Sequence, residues 1–498
     1  MTTLSEDQKT VLLRKELILL REIRRRQCTE SFYQFVLDAH KVLYPGDPLD
    51  ENWHMKYICD ELQKESFRIF QGRKKDRDII INVPPRSLKS IICTICWPAW
   101  MWIHKPSIKF IGSSYSGDLS LKHNMLTKDI VTSSWYQENW GNSVKLSNSR
   151  NTQEYYETQA RGYRTCTSTG GTVTGVGADV VVIDDPINPM RAESETERAT
   201  ANEFFDRTLS TRLNKPGFGL FVVIMQRLHT DDLTGHLMQK EPHRYHHICI
   251  PAEQTKDVSP PELNVFYKDE LFFKERFNRE WLDDIKVKLG SYGYAGQMLQ
   301  TPFLEGSGMI QAKWFGRFIM SELPPETIWN FCIDTAYTKK TKNDPSAILC
   351  WAVHENYLYI RGFNRVYFEF PKLIKHIISY SKENGYSYGS RIYIEPKASG
   401  ISTIQQVKYE TMLNVIQDEA PTTDKVSRAA DMSPAIEAGK VKLLNGASWI
   451  DDFLYELESF PQGKHDESID LLSMAIRKFQ KKNRRTRYTF GFKNYGRN

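Results

Sequence analysis

Ile79-Ile80-Ile81-Asn82-Val83-Pro84-Pro85-Arg86-Ser87-Leu88-Lys89-Ser90 reads as a strand, a tight proline turn and the start of a helix. Three β-branched apolar residues form the strand, and the apolar run Ile91 to Trp102 supplies the helix. A strand, a loop, Lys-Ser and a helix make a phosphate-binding layout. Backbone N–H groups and the helix N-terminus hold a polyphosphate there, Lys neutralises charge, and Ser ligates a cation. The usual loop pattern is G-x4-G-K-[ST], and Val83 and Leu88 stand at its two glycine positions.

Working outward, the chain supplies further parts of a nucleotide site. Ile108 to Tyr115 is a short apolar strand ending in small polar residues. Val180-Val181-Val182-Ile183-Asp184-Asp185-Pro186 has four consecutive β-branched residues, the mark of a strand buried on both faces. Its two carboxylates fall at the strand end, where open α/β sheets bind ligands. Asp184 is expected to hold Mg²⁺ through water, and Asp185 to position or deprotonate the attacking water. Phe221 to Met225 is another buried strand, followed by Gln226 and Arg227 as γ-phosphate sensors. Asp231 and Asp232 read as caps of the next helix. The expected nucleotide contacts are therefore Pro85, Arg86, Ser87, Leu88, Lys89, Ser90, Asp184, Gln226 and Arg227. Arg86 and Asp185 act in hydrolysis, and Ser90 and Asp184 hold Mg²⁺.

At 498 residues the chain has room for several domains. A net charge of +6 excludes a polycation, and no apolar run reaches the roughly 20 residues of a membrane span. The polar, acidic start does not read as a secretory signal. Eight scattered cysteines suit free thiols in a reducing cytoplasm. Cys93 and Cys96 form a C-x-x-C with no second ligand pair, so they read as packing residues, and His243, His246 and His247 read as part of a strand. Residues 6–27 read as a helix with Leu12, Leu13, Leu17, Leu20 and Ile23 along one side. Its favoured reading is a helix packed on its own domain with a solvated basic end; the alternative is a docking or DNA-contacting arm. Trp53 and Tyr57 open a helix before the loop, where an aromatic either stacks on a base or packs in the core.

The series Trp53-His54, Asn82 to Ser90, Gly175-x-Gly177-Ala178-Asp179, Ile183 to Pro186 and Gln226-Arg227-Leu228-His229-x-Asp231-Asp232-Leu233 resembles the large terminase subunit of tailed bacteriophages. The resemblance covers roughly residues 30–240 in order, spacing and residue type. Members commonly carry a Pro-Pro-Arg loop but keep Gly before the Lys, where this chain has Leu88.

The C-terminal half carries a second constellation. Thr327 to Ala336 is a strand with Asp334 near its end, and Ser346–Val353 and Tyr357–Phe363 follow across the turn His354-Glu355-Asn356. After a helix at Lys372–Tyr380, Ser390 to Pro396 is a fourth strand, parallel to the first, ending in Glu395. His465 to Asp470 opens the last helix, with Asp466 at its cap and Asp470 four residues on, on the same face. Asp334, Glu395 and Asp466, with Asp470 in reserve, are the expected ligands of two Mg²⁺ or Mn²⁺ ions in an RNase H-like nuclease. This half is similar to the same family, which has an Asp-Asp pair where Asp466 is followed by Glu467. Lys425 and Arg428 either touch DNA phosphates or form a solvated helix face. Arg477 to Asn498 holds nine Lys or Arg and no acid, interleaved with aromatics, as a DNA footprint, a docking peptide or a disordered end.

The expected fold is α/β: a P-loop (RecA/ASCE-like) ATPase domain with a mostly parallel sheet, then an RNase H-like nuclease domain. The expected division is 1–50, an N-terminal helical segment; 51–300, the ATPase domain with its connector; 301–308, a linker; 309–480, the nuclease domain; and 481–498, a basic tail. The function expected is a viral packaging motor that uses ATP to translocate double-stranded DNA and cuts it at a two-metal site. The resemblance further implies a portal protein, a small terminase subunit, a homo-oligomeric ring on the procapsid, no membrane, and the cytoplasm of an infected host. The alternatives are a cellular helicase-nuclease of repair or defence, which needs a second RecA-like lobe not legible between 240 and 320, and a structural protein with a decayed ATPase.

Overall fold

A computed structural model describes residues 6–173, 175–302, 309–335, 345–396, 398–419, 423–461, 463 and 465–491. Most of the expected linker 301–308, and the end of the tail, lie outside them. The chain divides into two compact units, Met1–Leu282 with Ala295–Pro302, and Asp283–Tyr294 with Phe303–Asn498.

The first unit is built on strands β1 (Asp78–Asn82), β2 (Lys109–Ser114), β3 (Leu146–Asn151), β4 (Tyr155–Thr158), β5 (Tyr163–Ser168), β6 (Val180–Asp184), β7 (Leu220–Met225) and β8 (Tyr245–Cys249). They lie in the order β3-β4-β5-β2-β6-β7-β1-β8. All pairings from β5 to β8 are parallel, and β3 and β4 close one edge antiparallel. Every residue of β1, β6 and β7 is buried, because helices cover both faces and only apolar runs fit there. The strand after the phosphate loop in sequence is thus not its neighbour. β7 sits between β1 and β6, which puts the ends of the loop strand and the Asp184 strand on either side of one crevice.

The helix after the loop begins with a π-helical turn, Ile91–Cys96, and continues as Trp97–His104. Its residues Cys93, Cys96, Trp97, Trp100 and Trp102 are all fully buried, which explains the C-x-x-C by packing alone. All eight cysteines are free thiols.

The first helix, Glu6–Glu30, departs from the favoured expectation. Leu12, Leu13, Leu17, Ile18, Leu19 and Leu20 are all more than half exposed. Among its residues whose burial is described, only the C-terminal turns pack: Cys28 is buried, and Arg24 pairs with Asp38 at 2.6 Å. The physical reason is length. The partner helix Phe32–Leu43 has 12 residues against 25, so it covers only the near end of the longer one.

The second unit holds β9 (Gly316–Phe318), β10 (Asn330–Asp334), β11 (Ser346–His354), β12 (Tyr357–Val366), β13 (Ile392–Ile394), β14 (Val415–Gln417) and β15 (Val441–Leu444). Their order is β14-β13-β10-β11-β12-β15-β9. β10, β11 and β12 form an antiparallel meander, and β13 and β14 add parallel to β10. Glu355 and Asn356 take positive φ in the two-residue turn between β11 and β12, as a right-twisted hairpin requires. Buried apolar clusters cover both faces: Leu349, Phe453 and Leu472 belong to one, and Phe331, Ile374 and Ile394 to the other. The helix Arg279–Gln297 carries a break at Gly290, whose φ of 69° and ψ of 168° only glycine adopts readily. Three antiparallel strands with parallel additions beside the first form an RNase H-like core. The expected α/β class with two mixed sheets holds. No helix among the described residues is long and apolar enough to cross a membrane.

Candidate nucleotide and metal sites

The loop after β1 is held by contacts made within the first unit. Ser87 Oγ donates to Pro84 O at 2.7 Å. From the preceding helix, His54 Nε2 bonds the Ser87 carbonyl at 3.0 Å, and Asn52 Nδ2 donates to His54 Nδ1 at 2.7 Å. Those partners fix the ring as neutral with its proton on Nε2. His54 is fully buried, and burial pushes its pKa down to about 4. Two non-glycine residues of the loop, Arg86 (φ 63°) and Leu88 (φ 62°), take left-handed backbone. Leu88 therefore keeps the conformation that glycine supplies in the usual pattern.

Across the crevice, Asp184 and Asp185 end β6. Lys89 Nζ lies 3.1 Å from Asp185 Oδ2, and Lys89 is 6% exposed. Ser90 Oγ donates to Asp184 Oδ1 at 3.1 Å, and Thr94 Oγ1 to Asp184 Oδ2 at 2.6 Å. Burial raises both carboxyls above the usual range, and the Lys89 charge opposes that rise. Asp185 has a positive φ of 46° and takes a hydrogen bond from the Gln226 backbone N–H. The expected group of Lys89, Ser90, Asp184 and Asp185 is thus gathered at one place. Its donors are hydroxyl and carboxylate oxygens, the set that suits Mg²⁺, and the Gln226 Oε1 atom is buried with no hydrogen-bond partner among the described residues. These observations fit a nucleotide-bound cation held by Ser90 and Asp184.

Arg227 is placed differently from its expected sensor role. Its guanidinium donates to both oxygens of Asp232 at 3.0 Å, and its backbone N–H donates to Gln300 Oε1 at 2.9 Å. Asp232 also caps the helix Leu233–Lys240 by accepting from Gly235 N, so the capping reading holds for Asp232. Trp53 stacks on Phe266 at 5.1 Å, with its indole N–H on the Phe272 carbonyl. His247 Nε2 bonds Asn82 Oδ1 at 2.7 Å, a packing role for the histidine-rich strand.

In the second unit, Asp334 ends β10 and Glu395 directly follows β13. The parallel register pairs Ile333 with Ile394, so the two carboxylates leave neighbouring strands at the same level. Asp466 and Asp470 are bound to a different helix, Lys425–Glu437. Lys425 Nζ lies 2.6 Å from Asp466 Oδ1 and 2.9 Å from Asp470 Oδ2, and Arg428 lies 2.7 Å from Asp470 Oδ1. Burial pulls the Lys425 pKa down, but the two carboxylates outweigh it and hold it above the usual lysine range. Lys425 and Arg428 thus form ion pairs rather than a solvated face. Glu467 lies 3.2 Å from Arg365 Nε. Among the described residues no three His, Cys, Asp or Glu side chains converge closely enough to hold a metal. Asp334 and Glu395 leave adjacent strand ends, while Asp466 lies against Lys425.

Several residues at these sites escaped the sequence reading. Thr94 stands four residues after Ser90, a same-face spacing that was legible. His123 acts through packing from a separate helix and left no local signal, and His54 entered the sequence reading only beside Trp53 in the family resemblance. Asp418 follows β14, is 3% exposed, and pairs with Arg477 and Lys478.

The fold and sites define a class: an α/β phosphate-loop unit joined to an RNase H-like unit. Residues 332–479 match the family model described as the terminase RNaseH-like domain. The likeness to large terminase subunits read from the sequence is supported by this match over the C-terminal part of the chain. No curated protein matches the chain. Among solved structures, the large terminase of the thermophilic bacteriophage D6E is similar at 12% identity, over 80% of this chain and 90% of that one, with a TM-score of 0.43. The HK97 bacteriophage large terminase is similar at 11% identity, over 81% and 90%, with a TM-score of 0.36. The human cytomegalovirus terminase nuclease domain is similar at 15% identity, over 32% of this chain and 88% of that one, with a TM-score of 0.26.

Proposed function

We propose that this chain is the motor and nuclease of viral DNA packaging, hydrolysing ATP in the first unit and cutting DNA in the second. The observation that supports it best is the Lys89–Asp185 and Ser90–Asp184 pairing across the crevice. ATP phosphates compete with Asp185 for the Lys89 ammonium. When Lys89 turns to the phosphates, Asp185 loses its cation and becomes free to accept a proton from water. Arg86, exposed at the loop tip, is available to the γ-phosphate. A Mg²⁺ held by Ser90 and Asp184 would supply charge neutralisation on the phosphates. In the second unit, Asp334, Glu395 and Asp466 would hold the ions that cut double-stranded DNA, with Asp470 anchoring Lys425 and Arg428 beside them. The partners of this reading are viral DNA, a portal protein, a small terminase subunit and further copies of the chain in a ring on the procapsid.

ATPase and plasmid cleavage measured on wild type, Lys89→Ala and Asp334→Ala test the two halves separately. Lys89→Ala is expected to lose ATPase by at least ~100-fold, since it removes a charge from the developing transition state. Asp334→Ala is expected to keep ATPase and lose cleavage. Unchanged ATPase in the first variant sinks the motor assignment, and intact cleavage in the second sinks the nuclease.

A further inference from the structure

We infer that Thr94 is a positioning residue for Asp184, fixing that carboxylate so that a divalent cation arriving with the nucleotide is gripped at once; the inference rests on the nucleotide-site reading above. Asp184 is fully buried, and its oxygens face different partners. Oδ1 takes the Ser90 hydroxyl at 3.1 Å, on the side where the cation is expected. Oδ2 takes the Thr94 hydroxyl at 2.6 Å, the shorter of the two bonds. His123, from the helix Gly117–Thr132, closes the same side with Nδ1 3.5 Å from Oδ2. The carboxyl torsion of an Asp is broad, so one bond leaves the group free to turn. A second bond on the opposite oxygen stops it.

The local winding serves this contact. Ile91–Cys96 is a π-helical turn, in which the Trp97 N–H donates to Ile92 O. Such turns are rare and occur mostly at functional sites. Here two hydroxyls four residues apart, Ser90 and Thr94, reach one carboxylate. A helical threonine ordinarily turns its hydroxyl back to a carbonyl of the preceding turn. Thr94, 2% exposed, gives its hydroxyl to Asp184 instead. When Ser90 Oγ leaves Asp184 for a cation, Thr94 is the donor that keeps Oδ1 aimed at it.

ADP binding to the full chain is to be measured by calorimetry in EDTA and across a Mg²⁺ series, for wild type, Thr94→Val, Thr94→Ala and Thr94→Ser. Thr94→Val keeps the shape and removes the hydroxyl. It is expected to lose about tenfold of the affinity gained from Mg²⁺, the size of one hydrogen bond to a charged group, with EDTA affinity within about twofold of wild type. Thr94→Ser is expected to restore the gain. The Mg²⁺ needed for half-maximal ATPase should rise in parallel. Thr94→Ala gives the same comparison if the valine variant does not fold. Wild-type Mg²⁺ dependence in the hydroxyl-less variant overturns the inference, as does an equal loss in Thr94→Ser or a loss already present in EDTA. A wild type that binds no ADP under either condition fails the nucleotide-site reading itself, and this inference falls with it.

Discussion

The loop residue Leu88 gives a prediction whose sign runs against the ordinary rule. At a right-handed position, glycine is less stable than alanine by roughly 0.5–1 kcal/mol, because the unfolded chain has more freedom to lose. Leu88 has φ 62°. An L-residue there carries a steric cost of roughly 1–2 kcal/mol that glycine does not. Subtracting the entropy cost from the relief, Leu88→Gly is expected to be more stable than Leu88→Ala by about 0.5–1 kcal/mol. Both variants lose the same half-buried leucine side chain, worth about 1 kcal/mol, so that loss cancels between them. Against wild type, relief and loss nearly balance for glycine, and alanine falls about 1 kcal/mol below. Equilibrium urea unfolding followed by tryptophan fluorescence suits the measurement, since Trp97, Trp100 and Trp102 are buried on the helix that follows the loop. Alanine equal to or more stable than glycine would refute the left-handed loop and the idea that Leu88 keeps a glycine conformation.

Three further outcomes are expected. Asp466→Asn should abolish plasmid cleavage with little loss of stability, whereas Asp470→Asn should cost about 2 kcal/mol by leaving Arg428 and Lys425 short of a partner in a buried setting; thermal unfolding beside a cleavage assay distinguishes them, and the reverse pattern exchanges their roles. Acid should destabilise the first unit through His54 and His247, whose burial holds each near 4 when folded against an ordinary 6.5. The unfolded chain binds protons first as pH falls, so stability present above 6.5 is lost progressively toward 4, by about 2 kcal/mol per histidine at pH 5; urea midpoints at pH 7 and 5 check it, and a His54→Gln variant should show a smaller drop. Leu13→Ser and Leu17→Ser, at exposed positions of the first helix, should change unfolding by no more than ~0.5 kcal/mol, and a larger loss would mean that this helix is packed after all.

The sequence by itself determined the local parts. Short, largely β-branched apolar runs bounded by polar residues favour strands buried on both faces, so β1, β6 and β7 were legible, together with the carboxylates and the Lys-Ser pair at their ends. The hairpin of β11 and β12 was legible too, because two apolar runs and a short polar turn act within a few residues. What lay between distant segments was not. That β7 separates the loop strand from the Asp184 strand depends on crossover packing of whole helices. The assignment of Arg227 to Asp232, and of Lys425 and Arg428 to the acids of the last helix, is a choice of ion partner that only burial in three dimensions settles. The same holds for the first helix: its apolar stripe predicted a packed face, but the neighbour that could cover it is half as long. Leu88 lies between the two. Its sequence announced a missing glycine, and only the backbone angle revealed that the glycine conformation had been kept without the glycine.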